Sequence, residues 1–397
     1  MPKNIWLLII GTAISITAAS FVWPLNAIYM HDELGKSLTF AGMILMFIQA
    51  FGVIGNLIGG VLFDKLGGFK TIMSGATITM VAACLLAIFN TIVPYAILLM
   101  IIGLGSGIIM PAVYAMASSV WPEGGRRAFN SIYVAQNFGV ALGSSIGGFI
   151  AAFSFSYIFI ANALLFIVFF SFAFITYKSM SGASDPQAYT SVFEQKRTIK
   201  DKTAFRALLL LSGGFLICWI GYVQWQSTIA PYTQELGISL SKYSLLWTIN
   251  GALIVLGQPL LKLITTRIQD PKKQIYLGNT IFIISFIVLL FADSFSVFAL
   301  AMIILTIGEM LVWPAVPTLA NNLAPKGRIG FYQGIINSVG TAGRMIGPVL
   351  GGIIVDNYAI HFLFYFLLFL YLIPYITTFI YDRRVVDKYE EKQGTEV

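Results

Sequence analysis

Charge is scarce in this chain. Only 10% of its 397 residues are Asp, Glu, Lys or Arg, against about 25% in soluble globular domains. Only two cysteines and two histidines occur. Cys84 and Cys218 fall within apolar runs in different halves of the chain. That excludes a disulfide framework or a metal pair and leaves them as small packing residues. Gly-rich loops of the kind that cradle phosphates are absent, including the GxxxxGK[S/T] pattern, so ATP is excluded as the energy source. Basic patches interleaved with aromatics are missing too, which argues against nucleic acid. No catalytic cluster, metal-ligand spacing or extramembrane domain is visible, so neither an enzyme nor a receptor is expected, and no cofactor or metal is called for. Asn-x-Ser/Thr sequons are absent, which favours a bacterial plasma membrane.

What the chain has in abundance is hydrocarbon: 58% hydrophobic residues and a mean hydropathy of +0.84. A run of about 20 apolar residues spans a bilayer as a helix. Twelve such spans are expected, at 5–29, 38–62, 71–89, 93–119, 129–152, 154–177, 204–230, 243–265, 275–292, 295–319, 330–354 and 357–380. The first is too long for a signal-peptide core and lacks a small-residue cleavage pattern, so it counts as span 1. Among the 24 Lys and Arg, all but Lys36, Lys242 and Arg344 fall on one side if the N-terminus is cytoplasmic. The net charge of +7 is therefore an inside bias, with both termini in the cytoplasm. The polar stretch 178–203 reads as a cytoplasmic linker between six-span bundles at 1–177 and 204–380, and 381–397 as a solvated tail.

The two halves are copies. GIIMPAVYAMASSVWPEGG at 107–125 matches MLVWPAVPTLANNLAPKG at 310–327, placing Pro111 opposite Pro314, and Gly147-Gly148 pairs with Gly351-Gly352. Duplicated bundles in an apolar chain are how transporters surround a midplane site that opens alternately to either side.

The loop after span 2 reads GGVLFDKLGGFK. With Gly60, Asp64, Lys65, Gly67 and Lys70 in place, it resembles the signature of the major facilitator superfamily. Span 5 ends GVALGSSIGG, similar to the Gly-rich signature of the superfamily's drug:proton antiporter branch, with Ser144 where proline is usual; GRMIGPVLGG in span 11 carries the fuller form. The resemblance covers the whole chain and implies an all-α membrane protein of major facilitator-type fold, with twelve helices in two pseudo-symmetric six-helix bundles. It also implies a gating role for Asp64. An anion at the C-terminal end of a helix needs a positive partner, and span 11 begins on the same side, so a latch from Asp64 to the start of span 11 would favour an outward-open state. The alternative is that Asp64 and Lys65 belong to a solvated turn. Gly139, Gly143 and Gly147 recur every four residues, and with Gly347 and Pro348 they are assigned to helix packing.

Two charges lie within spans: Glu309 in span 10 and Arg344 in span 11. Such groups cost about 2.5–3.5 kcal/mol on insertion scales and mark function. From their distance to the inner ends, the two backbones differ in depth by roughly 6 Å, and the tilt of side chains toward the helix N-terminus leans them toward each other. A carboxyl that gains and loses this partner can load and unload a proton; a permanent ion pair and a direct substrate contact are the other readings. The usual arginine of the branch is replaced near Leu99, span 1 has no acid before Asp32, and span 7 offers Gln226. Glu309 is thus the deep carboxylate available for coupling, His31 and His361 being peripheral.

Polar and aromatic residues at helical spacing mark the substrate cavity: Tyr133, Asn137, Tyr222, Trp225, Gln226, Trp247, Asn250, Trp313 and Asn337, with Asn130, Gln333, Gln49 and Asn56 on the same stripes. Aromatic walls with one carboxylate suit amphipathic or cationic organic molecules. The leading expectation is a monomeric secondary transporter of lipophilic or amphipathic small molecules, exchanging them for protons in contact with membrane lipid. A carrier for one specific solute, such as a sugar, a metabolite or a lipid-linked molecule flipped across the bilayer, proton-coupled or uncoupled, is the alternative.

Overall fold

In a bilayer no water is available to satisfy backbone N–H and C=O groups, so a spanning chain must close its hydrogen bonds within each segment. The computed structural model describes residues 1–22, 26, 29–35, 38–151, 155–182 and 202–383, and every long regular element among them is helical. In chain order these are α1 (Lys3–Val22), α2 (Leu38–Leu66), α3 (Gly68–Ile88), α4 (Ile92–Val120), α5 (Arg126–Ala151), α6 (Phe155–Tyr177), α7 (Lys202–Ser227), α8 (Ile229–Glu235), α9 (Leu240–Leu256), α10 (Gln258–Arg267), α11 (Pro271–Leu289), α12 (Phe295–Leu323), α13 (Ile329–Asn357), α14 (Ile360–Leu370) and α15 (Leu372–Ile380). The expected linker falls mostly on residues 183–201, and the tail on 384–397, both outside the described residues.

Ten of these stretches are long and apolar enough to cross a membrane, and α9 with α10 makes an eleventh, bent by 57°. Helix α5 is as long but less apolar, its Asn130, Ser131, Gln136, Asn137, Ser144 and Ser145 lowering its hydropathy. Span 8 was expected to be continuous. It breaks at Gly257, followed by Pro259, whose ring removes one amide donor and crowds the preceding turn. Span 12 likewise divides between α14 and α15, three residues before Pro374. Helix α11 starts earlier than its apolar run because Asp270 caps it, Oδ1 accepting from the Lys272 amide at 2.9 Å with Pro271 in the first turn. The Lys272 ammonium pairs with Asp382 at 2.7 Å.

The chain divides into two compact units, Met1–Gln195 with Lys326–Thr341, and Lys196–Pro325 with Ala342–Val397. In the first, α4 packs on α2 and α3, α1 on α5 and α6, and α3 on α6. In the second, α12 packs on α11 and α9, α7 on α15, and α11 on α14. Small residues carry these contacts, since helices in lipid associate by close packing and not by escape from water. A Cβ on Gly105 would stand 2.9 Å from the Gly75 carbonyl oxygen, and one on Gly278 would stand 2.9 Å from that of Gly308. The two contacts are 203 residues apart (278 − 75 and 308 − 105), the spacing of Pro111 and Pro314. Gly139, Gly143 and Gly147 face Ala13, Thr17 and Phe21 of α1, while Gly343, Gly347 and Gly351 face Trp219, Val223 and Gln224 of α7. The glycine stripes thus allow two helices to approach in each unit.

Candidate substrate and coupling site

Helix α12 carries Glu309 inward because its buried face runs almost unbroken from Gly308 to Ala320. The carboxylate is 2% exposed. Asn250 of α9 donates one hydrogen bond to Glu309 Oε2 at 2.9 Å and another to Thr306 Oγ1 at 2.9 Å. The Thr306 hydroxyl donates in turn to the Met302 carbonyl at 2.7 Å. The Tyr222 hydroxyl of α7 donates to Glu309 and lies within electrostatic reach of Arg344 and Tyr243. Both intramembrane charges therefore act at one tyrosine.

Around this polar knot stands an aromatic wall. Trp313, one turn from Glu309, has its ring centroid 5.4 Å from Tyr222, 4.8 Å from Trp219, and 5.5 Å from Phe215 and from Phe282. Trp247 lies 6.1 Å from Tyr222 and donates its indole N–H to the Tyr243 hydroxyl at 2.9 Å. Tyr243 in turn donates to the Trp225 carbonyl. The Arg344 guanidinium carbon sits 4.7 Å above the Trp219 ring, in cation–π contact. Glu309, Tyr222, Trp313 and Asn250 are buried, whereas Trp219, Trp247 and Arg344 are partly exposed.

Among the other residues singled out from the sequence, Trp225 is fully buried, outside the stacked rings, and meets the cluster through its carbonyl. Gln226 is exposed. Tyr133 and Asn137 lie in the other unit, where the Asn137 amide donates to the Tyr133 carbonyl at 2.9 Å. Asn337 donates to the Gln333 carbonyl at 2.9 Å. The side chains of His31 and Asp32 lie outside what is described, and His361 stacks edge-on against Tyr232.

Asp64 reaches the start of α13. Its two carboxylate oxygens accept from the Gly330 and Phe331 amides, each at 2.8 Å. These are first-turn donors of α13, which have no intrahelical partner. Gly60 brings α2 into backbone contact with Gly330 and Gly334. Higher on α2, Asn56 donates to Thr341 Oγ1 at 3.1 Å, and the Val53 carbonyl accepts from Ser338 at 3.2 Å. Gly67 adopts φ 81° to turn the chain into α3, with Lys65 and Lys70 exposed beside it.

A sequence profile described as the Major Facilitator Superfamily matches residues 8–229 and 210–396. The chain belongs to the major facilitator superfamily. It is 53% identical over 398 residues to an uncharacterized MFS-type transporter, YttB, of Bacillus subtilis strain 168, covering 100% of both chains. It is 24% identical over 379 residues to the quinolone resistance protein NorA of Staphylococcus aureus strain MSSA476, covering 90% of this chain and 91% of that one. The crystal structure of the human organic anion transporter MFSD10 (TETRAN) superposes with a TM-score of 0.73 at 14% identity, covering 95% of this chain and 100% of the other. As a superfamily member, the protein is a multi-pass membrane transporter of twelve-helix fold.

Trp219, Phe215, Tyr243, Phe282 and Thr306 of this cluster, and Gln224 on α7, were not singled out from the sequence. Trp219 occurs three residues before Tyr222, so the helical spacing that flagged Tyr222 and Trp225 extends to it. Gln224 is fully buried, donating to the Ile220 and Gly347 carbonyls at 2.9 and 2.8 Å. Its proximity to Gln226 in sequence hid it, because only the helix's rotation tells which of the two faces inward.

Proposed function

We propose that the protein is a secondary active transporter that moves small lipophilic or amphipathic organic compounds out of the cell in exchange for protons, by alternating access, as a monomer in the plasma membrane with both termini cytoplasmic. The observation that carries this reading is the Glu309 carboxylate, buried among Asn250, Tyr222 and a wall of aromatic rings, with Arg344 acting on the same tyrosine. A carboxylate at this depth is kept ionised only by such partners, and a rearrangement that withdraws them favours its protonation. The rings supply an apolar, polarisable surface for a substrate, and the relationship to a quinolone resistance protein supports export of such compounds. Asp64 contributes the gate: its two charge-assisted hydrogen bonds to α13 must break and re-form in each cycle.

The test uses proteoliposomes under an imposed pH gradient, with a panel of dyes, sugars and lipids. Wild type concentrates a lipophilic dye against its gradient, whereas Glu309→Gln still equilibrates the dye but no longer concentrates it. Undiminished concentrative transport by Glu309→Gln removes Glu309 from coupling. Transport confined to a sugar or a lipid redirects the substrate assignment.

A further inference from the structure

Packing alone does not account for Trp219. Its ring meets Trp313 at 4.8 Å, Tyr222 at 5.6 Å and Phe215 at 6.2 Å, and the Arg344 guanidinium stands over one face at 4.7 Å. Gly343, the residue before Arg344, makes this approach possible, since a Cβ there would lie 2.5 Å from the Trp219 Cβ. The buried indole N–H of Trp219 has no hydrogen-bond partner among the described residues. The ring is therefore held by its faces and edges, not by its polar atom.

A guanidinium is a flat, delocalised and weakly hydrated cation. One face of Trp219 thus already carries a planar cation, both groups partly exposed, in a cluster whose other walls are aromatic, with Glu309 one ring away through Tyr222. We propose that Trp219 is the specificity-determining residue of the substrate site, that the ring face under Arg344 is a seat for planar aromatic cations, and that Arg344 occupies this seat as the protein's own surrogate until substrate displaces it. The inference rests on the reading of this cluster as the substrate site. The competition has a direction: an occupied seat lowers apparent affinity by the fraction of time it is filled, so loosening Arg344 strengthens substrate binding, the reverse of what removing a substrate contact does.

The probes are ethidium, a planar aromatic cation, and dodecyltrimethylammonium, a cation without a ring, bound to the full-length protein in lipid nanodiscs and measured by equilibrium dialysis. Arg344→Lys keeps the charge but loses the flat group, and binds ethidium roughly 3- to 10-fold more tightly than wild type. Trp219→Leu binds ethidium about 10-fold more weakly, and Trp219→Phe recovers to within about 3-fold of wild type. Dodecyltrimethylammonium, which can meet a ring by charge but has no plane to stack on it, changes by less than ethidium in each variant. Weaker or unchanged ethidium binding in Arg344→Lys overturns the proposal. So does equal loss of both probes in Trp219→Leu, or a wild type that does not bind ethidium. Glu309→Gln assayed for concentrative transport separates the two readings: if it still concentrates dye while the ring selectivity holds, the coupling assignment falls and the seat stands.

Discussion

Asp64 and Gly330, 266 residues apart in sequence, are joined by a hydrogen bond of 2.8 Å, and the second Asp64 oxygen takes the next amide, Phe331, at the same distance. A carboxylate from one helix thereby caps another, satisfying two donors that α13 cannot satisfy itself and setting a negative charge against its positive end.

Replacing the charge weakens that cap while leaving its shape. Hydrogen bonds to charged groups contribute about 1.5–3 kcal/mol each, and Asp64→Asn keeps one acceptor oxygen and no charge. Exchange of the Gly330 and Phe331 amides, followed by hydrogen–deuterium exchange on a peptide covering 326–335, is expected to speed up by roughly 10- to 100-fold. Exchange no faster than wild type would show that the cap is not what holds this turn.

Glycines at helix crossings differ in what they tolerate, and the difference is testable within one unit. Gly278 has no room for a methyl group, whose carbon would lie 2.5 Å from a Val312 methyl and 2.9 Å from the Gly308 oxygen. Gly278→Ala must push α11 and α12 apart at a cost of about 1–3 kcal/mol. Gly213 in α7 faces open space within 4 Å, so Gly213→Ala is neutral or gains about 0.5 kcal/mol from reduced backbone freedom. Thermal unfolding in detergent should lower the midpoint for the first and not for the second.

Gln224 and Gln226 make a similar pair and show where the sequence ran out. Twelve spans, the duplication, Asp64 with its glycines, and Glu309 were readable because each is a pattern along the chain: hydropathy, repeat spacing, or a charge where charge is costly. Which face of α7 points inward was not, since Tyr222, Gln224, Trp225 and Gln226 are spread around more than a full turn. The breaks at Gly257 and before Pro374 were also missed, because apolar content continues through them. Gln224→Leu leaves the Gly347 carbonyl without its donor and takes an acceptor from Thr228, which bonds the Gln224 amide oxygen at 3.1 Å. A loss of about 1–3 kcal/mol follows. Gln226→Leu, at an exposed site, changes stability by less than about 0.5 kcal/mol. Equal midpoints for the two variants would contradict the placement of Gln224 between α7 and α13.

Asn250 separates stabilising Glu309 from merely neighbouring it. Its amide spans Glu309 Oε2 and Thr306 Oγ1, both at 2.9 Å. Asn250→Leu fills much the same volume with hydrocarbon and takes one donor from each acceptor. A buried charged acceptor deprived of its donor costs upward of about 1–3 kcal/mol, so the variant's unfolding midpoint should fall. In the double variant Asn250→Leu/Glu309→Gln the charge is gone, and a neutral amide faces the leucine. If the Asn250 bond matters because Glu309 is ionised, the double variant recovers part of the loss, and the coupling between the two sites exceeds about 0.5 kcal/mol. Strict additivity would mean that Asn250 supports Thr306 and the α9 to α12 packing while the carboxylate is held by Tyr222 and its other partners without it.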